Sequence, residues 1–354
     1  MTHEHPHVDD GVPPGITPSS LTPWLLGHLD GVELRPPLRY TSVAGGHSCL
    51  TYVVTDADGR RAVLRRPPLG HALATAHDVV REHRIISALA ETGVPVAPAL
   101  AVCTDTEVNG APFFVMDHVD GVVLHVLDDV ATLLPDVAAR RRAGFELVDA
   151  LAALHGVDVD AVGLGDLSRR TGYLDRQLKR WAAQWEASRT RELPLMDLLH
   201  RWLVEHRPAE GATGVVHGDF RLGNMILGPD GELRAILDWE LCTLGDQLAD
   251  VAYLMRSWVQ PDEPGSNHLD PPTRAGGFPD RDELVERYRR VSGRSVDDLG
   301  YWMAFNAWRS AAIAEGVLRR YLDGAMGTRP DDLDGFARGV EASVANGASW
   351  AGIG

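Results

Sequence analysis

His217, Asp219, Arg221 and Asn224 fall within eight consecutive positions, and Asp238 follows soon after. Val215-Val216 precede them, Met225-Ile226-Leu227 follow, and a third apolar run, Ala235-Ile236-Leu237, stops abruptly on Asp238. The expected order is strand, polar loop, strand, turn at 228–231, strand and acid, which brings Asp219, Asn224 and Asp238 to one end of a small sheet. Two carboxylates and an amide oxygen are hard ligands suited to magnesium, and one carboxylate can also accept a proton. That set suits phosphoryl transfer, in which a protein supplies positioning and charge neutralisation.

Taken singly, each residue has a plainer role available. Asp219 would also serve as a loop carboxylate bonded to nearby N–H groups, Asn224 as a turn residue and Asp238 as a helix cap. Together, in this order and spacing, they are far more specific. His217 is expected to pack beneath the loop, because Asp219 is the better exposed base. Arg221 either neutralises phosphate, positions Asp219 or faces solvent. Gly218 and Gly223 are expected to allow tight or left-handed turns.

The elements that must position these residues follow from the rest of the chain. It has 354 residues, 44% hydrophobic and 24% charged, which fits a globular protein of one large or two ordinary domains. No apolar run is long enough to span a membrane, and the first residues lack a signal-peptide pattern, so a cytoplasmic location is expected. A net charge of −16 argues against a nucleic-acid partner. Cys49, Cys103 and Cys242 are far apart in apolar contexts and read as buried thiols.

Residues 1–20 read as a flexible tail, and a short helix is expected from Thr22, with Pro23 in its first turn. Strands are expected at 38–43, 49–55, 61–65, 99–103 and 112–116, with a helix at 75–92 after the third. Gly45, Gly46, His47 and Ser48 lie in the loop between the first two strands, where backbone N–H groups can cover phosphates. Arg65 ends the third strand and is expected to pair with Glu82 of the helix. Beyond about residue 126 the pattern is helical: 135–155, 173–188 and 195–206 before the polar loop, then 247–255, 280–291, 296–322 and 331–347. The resulting expectation is an α+β chain of two lobes, 21–120 and 121–354, with small ligands bound in a cleft between them.

His217-Gly218-Asp219-Phe220-Arg221-Leu222-Gly223-Asn224 resembles the HxDxxxxN catalytic loop of aminoglycoside phosphotransferases and their protein-kinase-like relatives. Ile236-Leu237-Asp238-Trp239-Glu240 resembles the counterpart of the kinase DFG segment. The resemblance implies a protein-kinase-like fold, Asp219 as catalytic base, and Asn224 and Asp238 as magnesium ligands. Leu244-Gly245-Asp246-Gln247-Leu248-Ala249-Asp250 resembles a GDPxxD brace of the catalytic loop, with Gln247 in place of proline, and implies a structural role for Asp246. Phe114-Val115-Met116-Asp117-His118-Val119 resembles the hinge whose backbone, at Met116 and His118, bonds adenine. Residues 63–68 and 308–317 are most similar to kinase-like domains fused to acyl-CoA dehydrogenases.

The implied activity is ATP- and magnesium-dependent transfer of the γ-phosphoryl group to a hydroxyl of a small molecule, by a monomer or homodimer. Lys179 is the sole lysine of the chain and belongs to a later helix, so Arg65 stands where kinases place the phosphate lysine. That replacement leaves open a non-catalytic, nucleotide-binding alternative. The acceptor is also open: Asp262, Glu263 and Asp270 would suit an aminoglycoside, and Arg309, Arg319 and Arg320 a hydroxyacyl compound.

Overall fold

The structure, a computed structural model, describes residues 11–43, 49–70, 78–211, 213–263, 270–325 and 332–353. The chain divides into two compact units, Met1–Glu91 with Val96–Val119, and Thr92–Pro95 with Asp120–Gly354.

The first unit runs α1 (Pro18–His28), β1 (Arg39–Ser42), β2 (Leu50–Thr55), β3 (Arg61–Arg66), α2 (Val79–Ala90), β4 (Ala99–Cys103), α3 (Thr106–Asn109) and β5 (Phe113–Asp117). The strands form one antiparallel sheet in the order β1-β2-β3-β5-β4. Successive strand residues point to opposite faces, and Phe113 and Phe114 show what each face meets. Trp24 of α1 stands edge-on to Phe113 at 4.9 Å, and Leu21 and Leu25 share a core with Tyr52, Leu64 and Val115. His83 of α2 stands edge-on to Phe114 at 6.1 Å. The sheet is therefore covered by α1 on one face and α2 on the other. Asp78 caps α2 by accepting the Arg81 N–H at 2.9 Å.

Two expectations are corrected here. The first helix starts at Pro18, four residues earlier than expected, and Pro23 lies inside it. Burial of Leu21 and Leu25 outweighs the backbone bond that an interior proline removes. The tail expected over 1–20 does not hold for its described part. Arg66 is buried and donates to the Gly15 carbonyl and, at 3.0 Å, to that of Asn109, while Tyr52 donates to the Pro14 carbonyl. The expected loop residues Gly45, Gly46, His47 and Ser48 lie outside the described residues.

The second unit continues with α4 (Leu127–Leu133), α5 (Val137–His155), α6 (Tyr173–Ser188), α7 (Pro194–Glu205), β6 (Thr213–Val216), β7 (Met225–Leu227), β8 (Leu233–Ile236), β9 (Thr243–Asp246), α8 (Leu248–Ser257), α9 (Arg281–Ser292), α10 (Leu299–Leu322) and α11 (Leu333–Ala351). The single small sheet expected around the polar loop is instead two antiparallel ribbons, β6 with β9 and β7 with β8. The strand missed was β9, whose Thr-Leu-Gly-Asp carries little β signal and owes its conformation to pairing with β6. Gly231, at φ +81°, closes the β7–β8 turn against α5, and a Cβ there would lie 1.9 Å from the Ala139 carbonyl oxygen, so only glycine fits.

Helix α10 is the core of this unit. Its Trp302, Phe305 and Trp308 are fully buried, and Asn306 donates to the Ala249 carbonyl of α8 at 2.9 Å. Buried Glu315 accepts the Thr190 N–H and hydroxyl, each at 2.7 Å, and pairs with Arg191 at 3.0 Å. Among the described residues, no helix is long and apolar enough to cross a membrane.

Candidate active site

The loop between β6 and β7 has its shape dictated from below. At φ +87°, Gly218 brings the backbone close to Leu241, where a Cβ would be 3.0 Å from both the Leu241 carbonyl oxygen and its Cβ. Asp250, one turn into α8 and almost wholly buried, accepts the N–H of His217 at 2.6 Å and of Gly218 at 2.8 Å. Burial works against its charge, but the His155 side chain and the Gly218 N–H outweigh it and hold the carboxyl below its usual range. His217 is itself fully buried. Its Nε2 donates to the Leu237 carbonyl at 3.0 Å, which leaves Nδ1 to accept the Asp219 N–H at 3.2 Å. One ring thus ties the loop to the end of β8, and His217 is the packed residue expected.

Above these tethers sits the Asp219 carboxylate. Asn224 donates from Nδ2 to Asp219 Oδ2 at 2.7 Å and to the Asp219 carbonyl at 2.8 Å. Two acceptors on that side fix the amide orientation and turn Asn224 Oδ1 away from Asp219. Arg221 Nε lies 3.4 Å from both carboxylate oxygens, so Arg221 positions the acid. Tyr253 of α8 donates its hydroxyl to Asp219 Oδ1. Burial first, and then the Asp219 charge, push the Tyr253 hydroxyl far above its usual range and keep it a donor.

Asp238 joins the site through the backbone. The Leu237 N–H donates to the Asn224 carbonyl at 2.8 Å, which places Asp238 beside Asn224. At φ +64°, Asp238 is the one left-handed non-glycine residue among those described. Such a conformation costs on the order of 1–3 kcal/mol and persists only where the surroundings enforce it. Gly223, expected to allow a tight or left-handed turn, takes the tight one: it lies in a single 3-10 turn, Leu222–Asn224, where a Cβ would meet the Arg221 guanidinium.

In the first unit, Arg65 and Glu82 form an ion pair at 2.9 Å, with the Glu82 side chain only 4% exposed. Met116 lies in β5 opposite Val63 and Ala99, and the His118 N–H donates to Asp117 Oδ1 at 3.0 Å.

A loop that fixes one carboxylate, followed by a second acid on a left-handed backbone, is a recurrent arrangement, and comparison with known proteins gives it a family. The sequence model of the "Phosphotransferase enzyme family" matches residues 39–289. The chain belongs to that family.

The chain is 36% identical over 315 residues to mouse "Acyl-CoA dehydrogenase family member 10", matching 87% of the chain but 29% of that relative. It spans well under half the length of such relatives; the human family member 11 is matched over 39% of its length. A solved structure from Ralstonia eutropha, described as an aminoglycoside phosphotransferase, superposes with a TM-score of 0.80 at 32% identity, covering 95% of this chain and 98% of the other. The aminoglycoside phosphotransferase APH(4)-Ia, solved with AMP-PNP and hygromycin B, shares the fold at a TM-score of 0.60 and 16% identity, covering 94% and 99%. The α+β, kinase-like fold is that of the family.

The segment 244–250 braces the loop as the resemblance implied, through Asp250, while Asp246 has its structural role in accepting the Leu248 N–H at 2.9 Å, at the start of α8. Gln247, in the place of proline, donates to the His155 carbonyl at 2.6 Å. One residue at the site, Tyr253, escaped the sequence reading. Tyr253, three residues beyond Asp250, shares its helix face, and that spacing was the available signal.

A cavity of about 390 Å³ adjoins the loop, lined by Arg221, His125, Leu222, Pro272, Phe336 and Val340 among others. No acid lines it among the described residues. Two of the three acids expected to serve a cationic acceptor are engaged elsewhere: Glu263 with Arg281 and Asp270 with Arg274.

Proposed function

We propose that the protein is an ATP- and magnesium-dependent kinase that transfers the γ-phosphoryl group to a hydroxyl on a small molecule with an apolar body, a hydroxyacyl compound rather than an aminoglycoside. The observation that carries this reading is the Asp219 carboxylate, held by Asn224 and Tyr253, in a loop whose Arg221, Leu222 and Gly223 line a largely apolar cavity. A polycationic sugar would need acids around it, and none lines the cavity among the described residues. The acyl-CoA dehydrogenase relatives support an acyl acceptor.

In this reading Asp219 accepts the hydroxyl proton as the new O–P bond forms and the bond from the γ-phosphorus to the β,γ-bridging oxygen breaks, releasing ADP; Arg221 and Asn224 keep the carboxylate aimed. Among the described residues no three His, Cys, Asp or Glu side chains converge. The outward Asn224 Oδ1 and the adjacent Asp238 instead fit magnesium, which takes few protein ligands beside phosphates. When bound, magnesium would neutralise phosphate charge. Arg65, steered by Glu82, is proposed to hold nucleotide phosphates, the backbone at Met116 and His118 to take adenine, and residues 45–48 to cover the phosphates. A cytoplasmic location belongs to the same proposal.

The test is a screen of hydroxyl compounds, hydroxyacyl thioesters and aminoglycosides included, with ATP and magnesium. A phosphorylated hydroxyacyl product is expected, and Asp219→Asn should lower its rate by about 10²–10⁴-fold. Nucleotide binding without turnover of any acceptor would favour the non-catalytic alternative raised by Arg65.

A further inference from the structure

Several part-buried arginines in the second unit meet an acid: Arg191 pairs with Glu315, Arg281 with Glu263 and Arg287 with Asp149. Others, such as Arg140 and Arg294, donate to carbonyl oxygens. Two lack both an acid and an acceptor for a buried Nε. Arg256, in the last turn of α8, and Arg309, in α10, each bury Nε without an acceptor, and no acid pairs with either among the described residues. Their charges act on each other, and burial together with this repulsion holds the Arg256 guanidinium below its usual range.

Both stand beside the base. The Arg309 guanidinium lies over the rings of Trp181 at 5.3 Å and Tyr253 at 5.9 Å. Its Nη2 approaches the carbonyl of Gly218, the residue before Asp219, at 3.5 Å. Tyr253, which bonds Asp219, also feels the Arg256 charge. Both rings lie against the Arg309 guanidinium and help to fix its position. Two neighbouring guanidiniums of one sign, partly desolvated and lacking a counter-charge, are an unfavourable arrangement unless an anion arrives. Their forks match the oxygens of phosphate and carboxylate.

We propose that Arg256 and Arg309 form an oxyanion site beside Asp219 that takes a phosphate or carboxylate group. The oxyanion has two chemical sources: an anionic group carried by the acceptor, or the phosphoryl group in transfer. Assigning either source rests on the phosphotransfer reading; the anion site itself does not.

The experiment therefore has a binding arm and a kinetic arm. In the first, inorganic phosphate is titrated against the full chain by calorimetry, for wild type, Arg256→Met, Arg309→Met and the two lysine variants, with circular dichroism confirming the fold. Phosphate should bind the wild type, at least tenfold more weakly to each methionine variant, with partial recovery in the lysine variants. Equal binding by wild type and methionine variants, or none by any, would overturn the proposal even if no acceptor is ever phosphorylated. In the second arm, with an acceptor from the screen, a raised acceptor KM at unchanged kcat assigns the site to the acceptor's own anion. A lowered kcat at unchanged KM assigns it to the transferred phosphoryl group, and unchanged kinetics in both variants would overturn both sources.

Discussion

The loop at residues 217–224 and the arginine pair beside it are built on opposite plans. Around residues 217–224 the polar groups are matched: Asp250 receives two N–H donors, His217 uses both ring nitrogens, and both Asp219 oxygens have donors. Beside it, brought there by α8 and α10, Arg256 and Arg309 bury donors that meet no acceptor. The first region holds a geometry before any ligand arrives, which is how a base is aimed. The second leaves charge without a counter-charge among the described residues, which the proposed oxyanion would balance. Arg65 sharpens the contrast, since its own acid, Glu82, stands 2.9 Å away.

If the loop is held from below, removing its brace should have the largest effect. Asp250→Ala leaves the buried N–H groups of His217 and Gly218 without an acceptor, at about 1–3 kcal/mol each. Denaturant melts should show a loss of that order, with activity falling alongside; a loss below about 0.5 kcal/mol would mean that the loop keeps its shape without Asp250.

The arginine pair predicts the opposite sign. Arg256→Met removes a charge that has no partner among the described residues, so stability should be unchanged or rise, by on the order of 1 kcal/mol after allowance for partial exposure. A marked loss in the same melts would place Arg256 among the structural residues and erase the contrast.

A third effect, comparable in size to the second, is one of pH. His155 is buried, shares Nδ1 with the Tyr288 hydroxyl at 2.7 Å, and has Nε2 3.6 Å from Asp250. Burial pushes its pKa below the ordinary 6.5; Asp250 and Asp246 oppose this and Arg294 adds to it. The folded state therefore refuses a proton that the unfolded chain takes up below about pH 6.5, so this contribution is complete above that pH and is lost as pH falls. The limiting slope is about 1.4 kcal/mol per pH unit. Urea midpoints at pH 7.5 and 5.5 should show the decline, and His155→Gln should flatten it. An equal decline in that variant would assign it to other groups.

Much of this was legible in the residues. The antiparallel sheet of the first unit followed from alternation, and the elements around the loop from short apolar runs ending on polar residues, because those patterns are local. The pairing of Arg65 with Glu82 was legible too, from one strand end and the helix that follows it. Other features were not, since they depend on residues far apart in sequence. β9 exists through its partner β6, and the start of α1 is set by burial of Leu21 and Leu25 against the sheet.

By itself, the sequence determined which groups are available for chemistry: a base, an amide oxygen and a second acid in fixed order, because their spacing is covalent. The tertiary structure decided what surrounds them. Asp250 and Tyr253 reach the loop from α8, and Arg309 reaches it from α10, 91 residues beyond Gly218. Charge balance at a site is a sum over neighbours in space, and such a sum has no counterpart in the order of residues along the chain.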